Sequence, residues 1–179
     1  MERIYIKDLS SKKGEEVSIS GFVQTLRIQS KIIFMVIRDV TGIIQTVIEI
    51  SNEDAFNIAK ELSVESVVTV TGICKEAQQA MGGIEIGVQN IEVLSRSLPE
   101  LPIPVVIKGG DEETEAPTRF DYRWIDLRKP EKTKIFKVWT SLEKGFRKYW
   151  DENNYIQLYS PSFMSTPSET GAEVFEVNY

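Results

Sequence analysis

The chain has no histidine among its 179 residues. Ser-His-Asp and Cys-His nucleophile systems are thereby excluded from this segment, as are the usual histidine-containing zinc sets. There is one cysteine, Cys74. A lone thiol closes no internal disulfide, so a cytoplasmic location is the expectation. Cys74 lies in the strand-like run VTVTGICKE and reads as a small core or interface residue. No apolar run approaches the roughly 18 residues of a membrane span. The opening MERIYIKDLSSKKGEE lacks the apolar stretch of a secretory leader. No membrane partner is expected. No internal repeat or low-complexity segment is visible. A basic excess is also missing: the net charge is −6, which does not by itself point to nucleic acid.

What is present is a soluble composition, 41% hydrophobic and 27% charged. A chain of this length holds one ordinary domain, or a small domain and part of another. The charge is unevenly spread. Residues 1–107 carry ten basic and fourteen acidic groups, whereas 119–148 carry ten basic against four acidic. The second stretch either tracks a phosphate backbone or is a solvated hinge and helix face.

The first hundred residues read as short strands. VSISGFV, from Val17, alternates apolar and polar with period two. Runs at 31–39 (KIIFMVIRD) and 43–50 (IIQTVIEI) follow, joined by Asp39-Val-Thr-Gly42, which has turn chemistry. A helix is predicted over 53–62. Ser51 or Asn52 can cap it, and Phe56, Ala59 and Leu62 share a face. Two more strands are predicted at 66–75 and 84–94. Strand, strand, strand, helix, strand, strand is the order of the OB-fold, a five-stranded Greek-key barrel; another small antiparallel barrel or sandwich is the alternative. Pro99, Pro102 and Pro104 close the barrel as a spacer. Residues 108–116 are polar and acidic. A second helix is predicted over 131–153, with Ile135, Val138, Trp139, Leu142, Phe146 and Trp150 forming one broad apolar face. Pro130 suits its start and Asn153-Asn154 its end. The closing residues, from Tyr155, read as the opening of a second domain that stops at Tyr179 within a strand.

A barrel face that reads splayed bases needs an aromatic to stack on and polar groups for base edges. Phe34 lies on the second run, Gln45 on the third and Glu85 near the start of the fifth. Arg27 precedes the second run and suits a phosphate or a base. From pattern alone Phe34 is more often a core residue, and the other three are more often solvated strand positions.

The stretch GFVQTLRIQSKIIFMVIRDVTGIIQTVIE resembles the opening of aspartyl-tRNA synthetases of archaeal or eukaryotic type. In that family the phenylalanine stacks on an anticodon base, and the glutamine and a later glutamate read base edges. The resemblance therefore implies anticodon-binding roles for Phe34, Gln45 and Glu85, with Arg27 beside them. Arg38-Asp39 belongs to the same pattern, as a structural pair at the turn. RFDYRWIDLRKPE is similar to the family's R-x-D-x-R-x-x-D-L-R hinge motif, with Arg119, Asp121, Arg123, Asp126 and Arg128 at its positions. The helix followed by YIQLYSP resembles class II motif 1, which implies a homodimer interface including Trp139, Phe146 and Pro161. SETGAEVF, from Ser168, resembles the amino-acid loop and implies that Glu169 meets the ammonium group of aspartate; Thr170 replaces the usual first glycine.

The implied architecture is an OB-fold anticodon-binding domain at 1–104, a linker and hinge at 105–130, and the first helix and strands of a class II α+β catalytic domain at 131–179. The implied activity of the parent enzyme is ATP-dependent aspartylation of tRNA with Mg²⁺. Its partners are L-aspartate, ATP and the tRNA bearing the aspartate anticodon. No catalytic or metal-binding residue is assigned in this segment, which alone is expected to be inactive and to bind no cofactor. An asparaginyl-tRNA synthetase, and a non-enzymatic OB-fold nucleic-acid-binding module, are the alternatives.

Overall fold

The computed structural model describes residues 2–107 and 113–160. Among the described residues there are five strands: β1 (Glu16–Ile28), β2 (Ile32–Arg38), β3 (Ile43–Glu49), β4 (Val67–Glu76) and β5 (Ile84–Ser95). They close into a barrel in the order β1-β2-β3-β5-β4. Neighbouring pairs are antiparallel except β3 and β5, which run parallel. Between β3 and β4 lies helix α1 (Glu53–Lys60), and a short 3-10 turn covers Ile6–Ser11. Closure leaves no open sheet edge, the state that a small β domain otherwise has to protect.

Period-two alternation builds the interior. Ile33, Met35 and Ile37 of β2, Ile48 of β3, Val68 and Val70 of β4 and Ile86 of β5 are all fully buried. Leu9 and Phe56 plug the same core from the 3-10 turn and α1. The Asn52 side chain accepts from the Ala55 N–H at 3.3 Å and caps α1. Phe56, Ala59 and Leu62 turn inward as predicted. Cys74 is fully buried, and burial raises its thiol pKa while nearby Lys13 pulls it down by less.

The first strand runs to Ile28, five residues past the alternating run predicted for it. A bulge at Gln24 shifts the register between Val23 and Thr25. Such a bulge bends a strand and lets it continue around a barrel corner. At Gly21 any Cβ would strike the backbone carbonyl of Arg38, so β1 and β2 approach this closely only over glycine.

Arg38 and Asp39 do not act as a pair at the turn, contrary to expectation. Consecutive strand residues face opposite sides. The Arg38 guanidinium instead donates to both carboxylate oxygens of Glu65, at 2.8 and 3.0 Å. Asp39 works alone on the turn. Its Oδ1 accepts from the Thr41 N–H, the Thr41 hydroxyl and the Gly42 N–H, and its Oδ2 accepts from the Ile6 N–H.

The chain divides into two compact units, residues 1–129 and 130–179. The first includes two short helices, α2 (Ala116–Asp121) and α3 (Arg123–Asp126), where the hinge-like motif had given no element. Their segment is tied to the barrel: Arg128 donates to Glu65 at 3.0 Å and its guanidinium lies 4.6 Å from the centre of the Phe22 ring. Arg119 and Asp126 join an ionic cluster with Lys129, whose ammonium is 2.8 Å from Asp126 Oδ1. Asp121 and Arg123 are exposed. The second unit is described over α4 (Pro130–Glu152) and the segment that follows it. Asn154 has φ of +61°, and the Tyr155 N–H reaches the Trp150 carbonyl at 3.0 Å. That closes α4 with the bonding of a Schellman cap.

Candidate nucleic-acid interface

The outward residues of the barrel are set by the same alternation that builds its core. On β2, Ile33 and Met35 point inward, so Phe34 between them points out and is only half buried. Its cross-strand partner on β1 is Arg27 and on β3 is Val47. Val47 faces Gly87 on β5, and Gly87 faces Ile73 on β4. A parallel row runs Thr25, Val36, Gln45, Glu85 and Lys75 over the same five strands.

The four predicted barrel residues therefore share one surface. The Arg27 guanidinium lies 4.7 Å from the centre of the Phe34 ring. Gln45 donates its side-chain N–H to Glu85 Oε2 at 3.0 Å. A half-buried ring on the outer face with a cation beside it is suited to stacking an aromatic base. An amide hydrogen-bonded to one carboxylate oxygen still offers its own carbonyl acceptor and the second carboxylate oxygen to a base edge.

Lys75 and Gly87 also lie on this face, and neither was singled out from the sequence. Parity along β4 places Lys75 outward, but its position opposite Glu85 follows only from the pairing of β4 with β5.

Trp139 and Phe146 lie on α4 with no buried neighbour; they are 62% and 53% exposed. Phe146 stacks on Trp150 with centroids 5.8 Å apart, and Phe136 meets Trp139 edge-on at 5.5 Å. Trp139, Leu142, Phe146 and Trp150 line a groove of about 550 Å³ with Leu158. Pro161 and Glu169 lie outside the described residues. In the basic stretch, Arg119, Arg128 and Lys129 already have acidic partners.

Family models match both parts of the chain. One described as "OB-fold nucleic acid binding domain" covers residues 17–94. Another described as "tRNA synthetases class II (D, K and N)" covers 115–179. The aspartate–tRNA(Asp/Asn) ligase of Aeropyrum pernix is 34% identical over 98% of this chain and 40% of its own length. The aspartate–tRNA(Asp) ligase of Picrophilus torridus is also 34% identical, over 99% of this chain and 41% of its own. The chain belongs to the aspartyl/asparaginyl-tRNA synthetase family. A crystal structure of an asparaginyl-tRNA synthetase, from Pyrococcus horikoshii with asparaginyl-adenylate, matches with a TM-score of 0.86 at 32% identity. It covers 100% of this chain and 41% of that one. This synthetase-family chain spans about two fifths of the length of the curated relatives it matches.

Among the described residues no group of three or more acidic, cysteine or histidine side chains is arranged to hold a metal ion. No described helix is long and apolar enough to cross a membrane.

Proposed function

We propose that the chain is the anticodon-reading part and the beginning of the catalytic domain of an aspartate–tRNA ligase. The reading divides it into an anticodon-binding barrel at 1–104, a linker and hinge at 105–130, and the opening of the catalytic domain at 131–179. One observation carries it: Arg27, Phe34, Gln45 and Glu85 lie together on the outer face of an OB barrel, with the ring and the amide–carboxylate pair in adjacent rows. Phe34 stacks one anticodon base. Gln45 and Glu85 address base edges, and Arg27 holds the ring and meets RNA charge.

In the whole enzyme, aspartate and ATP give aspartyl-adenylate and pyrophosphate, and the aspartyl group then passes to tRNA with release of AMP. ATP and Mg²⁺ belong to that chemistry, with arginines and metal offsetting phosphate charge. Glu169 is the proposed contact of the aspartate ammonium, through simple charge pairing. The apolar face of α4, with Trp139, Phe146 and Pro161, is the proposed homodimer surface, and the enzyme is cytoplasmic.

An asparagine-charging enzyme is the second reading, favoured by the Pyrococcus match. The two anticodons differ at one base, so the contacts around Gln45 and Glu85 separate them. The experiment is a titration of the chain with anticodon stem-loops carrying either triplet. The aspartate loop is expected to bind tighter. Phe34→Ala is expected to weaken it by about 1–3 kcal/mol, the range for one stacked base. Gln45→Ala is expected to lower the preference between the loops. Titrations unchanged by both substitutions remove the anticodon reading. A preference for the asparagine loop replaces the first reading with the second.

A further inference from the structure

The five strands carry only three cations: Arg27, Arg38 and Lys75. Arg38 is committed to Glu65. Arg27 and Lys75 form no ion pair with any described residue, and both are exposed. They stand at opposite ends of the two outer rows, Arg27 on β1 beside Phe34 and Lys75 on β4 beside Glu85. Counted through β2, β3 and β5, four strand spacings lie between Arg27 and Lys75, roughly 19 Å along the curve at about 4.8 Å each; β1 and β4 pair directly only over 16–22 and 67–73, where the barrel closes.

Lys75 does not simply project into solvent. Its Cε and Nζ each lie 3.0 Å, and its Cδ 3.6 Å, from where a Cβ on Gly87 would stand. The stem thus crosses from the Gln45–Glu85 row into the Phe34–Val47–Gly87 row, along the diagonal that long side chains reach in a sheet. The missing side chain at Gly87 leaves that path open. The electrostatics give the cation a task. Glu85 keeps a negative carboxylate on the surface, and a base brought to it carries phosphates of the same sign. An unpaired ammonium on the adjacent strand offsets that repulsion.

We propose that Lys75 is a phosphate contact of the bound single-stranded RNA, one strand beyond Glu85, with Gly87 left bare so that its stem can lie across the face. The proposal rests on the anticodon reading and extends it from β1–β2–β3–β5 onto β4.

The test is stem-loop binding by the whole chain as a function of salt, for wild type, Lys75→Gln, Lys75→Arg and Phe34→Ala. Thermal melts check folding, and the exposed site makes both lysine variants expected to fold. Lys75→Gln is expected to weaken the aspartate loop and a one-base variant by a similar factor, roughly three- to tenfold at low salt. Its slope of log affinity against log salt is expected to be shallower by about 0.7, the value for one phosphate on a single strand. Lys75→Arg is expected to restore the slope. An unchanged slope in Lys75→Gln, or a loss confined to one loop, overturns the phosphate contact. If Phe34→Ala still weakens binding in that case, the anticodon reading stands and only the Lys75 assignment falls. If neither substitution has an effect, both fall.

Discussion

Glu65 has φ of +66° and is 5% exposed, an uncommon combination for a charged residue with a Cβ. Such a backbone costs on the order of 1–3 kcal/mol and persists where its surroundings hold it. Here the holding is electrostatic: its carboxylate accepts from Arg38 and from Arg128, and Phe22 packs against both guanidiniums. Removing one member of a buried ionic group leaves the others uncompensated, which costs roughly 3–5 kcal/mol. Glu65→Ala is expected to lose stability in that range by urea denaturation. Glu65→Gly is expected to lose about 1 kcal/mol less, because glycine relieves the left-handed backbone. Equal losses in the two variants would show that the backbone there is unstrained; a change under about 1 kcal/mol in Glu65→Ala would falsify the ionic account.

The hairpin from β2 to β3 is the element on which Phe34 and Gln45 depend for their relative position. Its turn is closed by the Asp39 N–H donating to the Gly42 carbonyl at 3.0 Å and by four hydrogen bonds to the Asp39 carboxylate. Burial acts to raise the Asp39 pKa, but the hydrogen bonds from Ile6, Thr41 and Gly42 together outweigh it and leave the pKa below its ordinary 3.8. A depressed native pKa stabilises the fold above the unfolded value, and that contribution disappears as pH falls through the native one. Asp39→Asn is expected to cost about 1–2 kcal/mol at neutral pH, the scale of losing hydrogen bonds to a charged acceptor. The gap between variant and wild type is expected to shrink as pH falls from 4 through the native pKa. Urea midpoints measured across that range decide it, and a gap that stays constant means that the Asp39 charge contributes nothing.

At the scale of the whole molecule, the two units differ in how they hide their apolar residues. The first encloses its core in a closed barrel. In the second, α4 has no buried residue, and Trp139 and Trp150 are 62% and 49% exposed. A helix with one apolar stripe is stable when that stripe is covered. In a Trp124→Phe background, acrylamide is expected to quench both indoles strongly at low protein concentration. Quenching is expected to fall as concentration drives self-association through α4. Strong shielding in a dilute, monomeric sample contradicts this use of the stripe.

Much of the barrel was legible in the chain. Period-two alternation, the Asp39–Gly42 turn and the capped amphipathic segment at 53–62 are local patterns. Local patterns survive folding when buried and exposed faces agree with them. They placed Phe34, Gln45 and Glu85 on strands, while pattern alone favoured a core position for Phe34. Its outward face follows from the burial of Ile33 and Met35 on either side. Other features had no local signal. The bulge at Gln24 extended β1, Arg38 reached Glu65 across 27 residues instead of Asp39, and Lys75 came to lie opposite Glu85 with its stem over Gly87. Each depends on which strand lies beside which and in what register. That choice belongs to closure of the barrel, where residues distant along the chain become neighbours in the sheet.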